Sequence, residues 1–107
     1  MRVGKDVVMT EQSAVAVHRN ESNHHYEAEL AGKVVGFVRY RHRPGQVVLI
    51  HTETDPSYEG RGIGAALARG ALDDIRARGE KAVLLCPFIT SYVAKHPQYQ
   101  DLVAPPD

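Results

Sequence analysis

Three short segments of this 107-residue chain bring together residue types that can do chemistry. Cys86-Pro87 directly follows the apolar run Ala82 to Leu85, so the only thiol stands where a strand ends and a helix begins. Pro is favoured at the first helical position, which makes Cys86 the N-cap. The unpaired N–H groups of a helix start stabilise negative charge, lower a thiol's pKa and favour the nucleophilic thiolate. The plain alternative is a buried Cys acting as a small hydrophobe. His51 lies in a β-rich run, where an imidazole can serve as a general base or can simply be hydrogen-bonded within the core. Glu59-Gly60-Arg61-Gly62-Ile63-Gly64-Ala65 opens a helical pattern and suits a phosphate: glycines permit close approach and the first helical N–H groups converge on an anion. No Gly-Lys-Ser/Thr follows, so it is not a P-loop, and it lacks the spacing of a dinucleotide fingerprint. A glycine-rich strand-to-helix turn is its structural alternative.

These residues need a scaffold, and the size of the chain limits it. With 43% hydrophobic content it fits one compact domain, leaving no room for separate cofactor and substrate domains. A formal charge of zero gives no global footprint for nucleic acid or a membrane surface. A single Cys excludes an intramolecular disulfide, and the lack of a signal peptide or long apolar span in the sequence points to the cytoplasm. Residues 1–13 have no clear period and are expected to form a flexible N-terminal extension; 14–103 form the single domain, and 104–107 a loose tail.

Val15 to His18 is a short strand candidate, and Tyr26, Ala28 and Leu30 alternate with Glu27 and Glu29 as in a half-buried strand. Ala31-Gly32-Lys33 turns into the β-rich run Val34 to His42, and Arg43-Pro44-Gly45 turns that into Gln46 to Thr54. From Gly62 to Arg78, a stripe of Gly64, Leu67, Ala68, Ala71, Leu72 and Ile75 predicts an amphipathic helix, with Arg69–Asp73 and Asp74–Arg78 as i,i+4 pairs and Gly79 as its stop. Lys81 to Cys86 reads as a strand covered on both faces, parallel to Gln46–Thr54 through the crossover helix. His51 and Cys86 then lie toward one edge. Phe88, Ile89, Tyr92 and Val93 mark a short C-terminal helix ended by His96-Pro97.

From about Tyr26 to Tyr99 the chain resembles GNAT-type N-acetyltransferases, most closely the minimal single-domain family that keeps little beyond the acetyl-coenzyme A half of that fold. The resemblance rests on His51-Thr52-Glu53, Tyr58 through Leu67, Cys86-Pro87-Phe88, and Tyr92 with His96-Pro97-Gln98-Tyr99. Glu59 departs from the Gln or Arg that opens the superfamily's pyrophosphate loop. The resemblance implies a reduced α+β (α/β-like) GNAT fold: an antiparallel meander, a βαβ crossover and a short helix. It implies acetyl-CoA as co-substrate, entering where the parallel strands splay apart. Glu53, Arg61, Gly62, Ile63, Gly64 and Ala65 are the expected coenzyme-binding residues, and His51 and Cys86 the catalytic candidates. Tyr92 matches the Tyr that protonates departing coenzyme A thiolate in many members.

The expected reaction moves acetyl to a primary amine, whether a protein lysine, a peptide N-terminus or a small amine. Two routes are open: direct attack by the amine with His51 as base, or an acetyl-Cys86 intermediate activated by His51. A non-catalytic coenzyme A-binding module or sensor is the alternative function. Arg39, Arg41, His42 and Arg43 form a basic cluster that reads as a solvated hairpin end opposite Glu27 and Glu29. His24-His25 has no spaced partner ligands, so no metal is expected. The expected partner is an amine acceptor, open to large molecules, with no DNA, RNA or membrane; the expected state is a monomer or weak dimer.

Overall fold

The computed structural model describes residues 15–105, so the expected extension over 1–13 lies outside the described residues. Period-two patterning becomes a meander of β1 (Ala16–Asn20), β2 (His25–Leu30), β3 (Lys33–Arg43) and β4 (Gln46–Thr54), and β5 (Lys81–Leu84) joins β4 in parallel. The sheet order is β1-β2-β3-β4-β5. Local chemistry sets the hairpins. Ala31 and Gly32 both have positive φ (53° and 78°), the backbone that lets a two-residue turn follow the strand twist. β1 runs two residues beyond the expected Val15 to His18, because Arg19 and Asn20 pair with Tyr26 and His25.

One helix, α1 (Ile63–Ala77), covers one face of the sheet. Its Leu67, Ala68, Ala71, Leu72 and Ile75 are buried in one core with Tyr26, Ala28, Val38, Val47 and Leu49. Gly79 ends it in a left-handed turn: its N–H donates to Arg76 O and the Glu80 N–H to Ile75 O, which satisfies two terminal carbonyls. Asp74 pairs with Arg78 at 2.8 Å as expected, whereas Asp73 accepts instead from the Tyr99 hydroxyl at 2.7 Å. Gly70 lets β1 reach the helix, since a Cβ there would lie 2.6 Å from Val17 Cβ. Gly70→Ala therefore gains helix propensity yet is expected to lose about 1–3 kcal/mol by overpacking. A melting temperature at or above that of the parent in circular dichroism would show that β1 does not need this close seat.

A polar cluster closes the far end of this core. The Tyr26 hydroxyl donates to Asp74 and accepts from Arg19, both at 2.7 Å, and burial pushes its pKa well up. Arg19 also reaches Glu80, whose second oxygen meets His42 at 2.7 Å. Burial alone would raise the Glu80 carboxyl, but the bonds from His42 and Arg19 outweigh it and hold the pKa below its usual value.

β5 is shorter than the expected Lys81 to Cys86. Leu85 N–H and Cys86 N–H both donate to Leu49 O, at 2.9 and 3.0 Å, and that convergence ends the ladder. Ala82 and Val83, neighbours that face opposite sides, are both buried, as a doubly covered strand requires. Cys86 caps α2 (Pro87–Lys95) with Pro87 in its first turn, and a 3-10 helix over Pro97–Leu102 follows. The segment read as a loose tail starts with an anchor, since Ala104 N–H donates to Ala82 O at 2.8 Å.

Candidate active site

The site begins where the parallel pair ends. β4 and β5 stay in register from Gln46–Lys81 to Leu49–Leu84; beyond Leu49, β4 continues against β3 alone. A β-bulge accompanies the separation: Arg39 opposes His51 and Tyr40 opposes Leu49, leaving Ile50 as the extra residue. The edge of β4 over residues 50–54 is thereby freed from β5, and an unpaired strand edge offers main-chain donors and acceptors to an extended ligand. This is the splay expected between the two strands.

Alternation then distributes the side chains. Thr52 lies opposite the core residue Val38 and turns toward α1, where its Oγ1 is 3.1 Å from Cys86 Sγ. His51 and Glu53 lie on the other face, both exposed, with His51 Nε2 3.0 Å from Glu53 Oε2. His51 and Cys86 share one end of the sheet, yet no hydrogen bond joins them among the described residues; each has a different partner. The Cys86 thiol is buried at the N-terminus of α2, beside a hydroxyl rather than an imidazole. Thr52 had no assigned role in the sequence, although strand alternation beside His51 was the signal for it.

The glycine-rich turn forms the mouth of the splay. A cleft of about 360 Å³ is lined by Gly60, Gly62, Ile63, Gly64 and Ala65 together with Thr54, Tyr58, Glu59 and Phe88. Gly62, the N-cap of α1, is left-handed at φ 77° and no side chain caps the helix. The first helical N–H groups, at Ile63, Gly64 and Ala65, have no intrahelical acceptor in such a turn and are available to an anion. Space and donors both fit a pyrophosphate. Two expected coenzyme residues, Arg61 and Glu53, are not among the residues that line this cleft. The Arg61 N–H donates to Tyr58 O at 3.3 Å, and its guanidinium lies over the Tyr58 ring. Glu53 faces away because strand alternation sends Thr54 into the cleft, and its carboxylate meets His51 instead. Gly64 is small for Phe88, whose ring would lie 2.8 Å from a Cβ there.

Tyr92 stands on α2, half-buried, with its ring stacked on His96 at 3.9 Å. It lines a separate cleft of about 200 Å³ that shares Phe88 with the glycine cleft. No hydrogen bond is shown between it and His51 or Cys86 among the described residues, and its ring neighbours are His96 and Tyr99. Phe88 was missed as a site residue; an exposed aromatic directly after Cys-Pro was the available sign. No three His, Cys, Asp or Glu side chains converge as metal ligands among the described residues, and no described helix is long and apolar enough to cross a membrane.

A meander, one crossover and a splayed parallel pair define the GNAT class of fold, and solved structures share it. A GCN5-like protein from Staphylococcus aureus superposes with a TM-score of 0.64 at 18% identity, over 89% of this chain and 93% of that one. The ribosomal-protein-S18-alanine N-acetyltransferase of Escherichia coli gives 0.56 at 20% identity, over 71% and 50%. Residues 25–102 match the family described as GCN5-related N-acetyl-transferase, and the chain belongs to that family. Protein NATD1 of mouse and of human is 43% identical to it over 61 residues, which are 55% of this chain and 56% and 54% of those proteins. The chain thus spans about half the length of these curated relatives.

Proposed function

We propose that the protein transfers acetyl from acetyl-CoA to a primary amine by direct attack, with His51 as general base. The observation that supports this reading is the two-sided splay: the His51–Glu53 pair on the open face and the Cys86–Thr52 pair on the helical face. The uncapped start of α1 would hold the pyrophosphate, and the free edge of β4 would hold the amide-bearing arm that leads the thioester inward. An amine arriving from the open face meets His51 first. Its nitrogen bonds to the acetyl carbon, the carbon–sulfur bond breaks, and the amine proton passes to His51. The departing thiolate takes a proton from the Cys86 thiol, and the Thr52 hydroxyl then donates to the Cys86 sulfur it already touches. Glu53 orients the imidazole and balances its positive charge.

A second reading has its own support, since Cys86 stands at the N-cap of α2 beside the Thr52 hydroxyl, and a cysteine can form a covalent acyl intermediate. In that case an acetyl-Cys86 forms without His51, whose side chain lies on the other face. Intact-protein mass spectrometry of wild type and Cys86→Ala after incubation with acetyl-CoA separates the two, with calorimetry of coenzyme A binding on the same samples. Direct transfer predicts binding in both proteins and no hydroxylamine-sensitive adduct. An adduct on wild type alone, discharged by an added amine, would move the chemistry to Cys86. Binding without transfer to any amine would favour the sensor function, and no binding would overturn the coenzyme site.

A further inference from the structure

The basic cluster of the third strand is not a single hairpin-end patch. His42 turns to the helical side and is held by Glu80, while Arg39 and Arg41 stay together on the open face. Neither lies opposite Glu27 or Glu29: Arg39 faces His25 and His51 across the ladders, and Arg41 faces Val48. Two carboxylates of this face are already engaged, Glu27 by His18 and Asn20, and Glu53 by His51. Among the described residues the side chains of Arg39 and Arg41 have no ion pair or hydrogen bond. They line a cleft of about 440 Å³ with His24, His25, Asn23 and the bulged Ile50, and no carboxylate lines it. Ile50 precedes His51 in the chain, so the cleft adjoins the candidate base.

We infer that this cleft binds the acidic flank of a peptide acceptor, fixing carboxylates beside the amine that His51 serves. The inference rests on the acetyltransferase reading for that amine, but the recognition itself does not. Arg39 and Arg41 are alternate residues of one strand, so their side chains leave the sheet about 7 Å apart, twice the rise per residue. An extended peptide repeats at the same interval. Acids at the second and fourth positions after a lysine would face the two guanidiniums while the lysine shares their side of the peptide. Each guanidinium can take a carboxylate through paired N–H···O bonds, which a point charge cannot. Nucleic acid fits less well. The chain carries 13 basic and 13 acidic residues, and Tyr40, the one aromatic ring lining the cleft besides the two imidazoles, is buried and offers no stacking surface for a base.

Fluorescence anisotropy of the full chain loaded with coenzyme A tests this directly. The probes are a labelled Ser-Lys-Ser-Asp-Ser-Asp-Ser peptide, its Asn-for-Asp counterpart and its Arg-for-Asp counterpart. The acidic peptide is expected to bind about tenfold more tightly than the Asn peptide, as charge-assisted bonds require, and the gap should shrink with added salt. The Arg39→Gln, Arg41→Gln double variant should erase the gap, with coenzyme A affinity as the control for folding. Equal binding of the three peptides, or a preference that survives in the double variant, overturns the inference. So does displacement of the acidic peptide by a single-stranded oligonucleotide of equal charge at lower concentration, which would assign the cleft to nucleic acid. An acidic preference in a protein that transfers no acetyl group would uphold the cleft and reject the activity.

Discussion

Ala65→Asp is expected to weaken coenzyme A binding by at least about 100-fold, or about 2.7 kcal/mol, while leaving the protein as stable as its parent. Ala65 is the third helical residue of α1 and lines the glycine cleft. A carboxylate in the first turn favours the helix through its dipole by about 0.3–1 kcal/mol, so the substitution does not threaten the fold. The same carboxylate would sit in the N–H cradle and repel the pyrophosphate with a like charge. Replacing Gly62 would be a poorer probe, because a side chain at φ 77° strains the backbone and mixes a folding defect with a binding one. Calorimetry and thermal unfolding on the same sample separate the effects. Unchanged coenzyme A affinity in a folded Ala65→Asp protein would sink the cradle.

His51→Gln is expected to lower kcat/KM for the amine by about 10² to 10⁴, the range for a lost general base, without changing coenzyme A affinity. His51 is exposed on the open face, away from the α1 cradle, so the substitution removes proton transfer and little packing. A lost base slows proton transfer rather than binding, so the loss should fall on kcat more than on KM for the amine. Glu53→Gln should cost less, because it orients the base without itself taking the proton. If His51→Gln leaves kcat intact while Cys86→Ala removes all transfer, the base is elsewhere and the acetyl-Cys86 route stands.

The sequence by itself determined the local elements: the meander with its turns, the amphipathic helix closed at Gly79, the glycine start of α1 and the Cys86-Pro87 cap of α2. Each depends on residues a few positions apart, through φ preference, side-chain periodicity or capping, so it is legible without tertiary contacts. Only the tertiary structure decided which groups share a face. His51 and Cys86 are at one end of the parallel pair, but His51 pairs with Glu53 and Cys86 with Thr52, because the extra residue at Ile50 and the strand pleat set their directions. The Glu53 side chain turns away from the glycine cleft for the same reason, and Thr54 lines it instead. The basic cluster was divided by the strand pleat, which puts His42 on the helical side, where Glu80, 38 positions away, holds it. These outcomes come from pairing between distant segments, where a shift of one residue turns a side chain to the other face of the sheet.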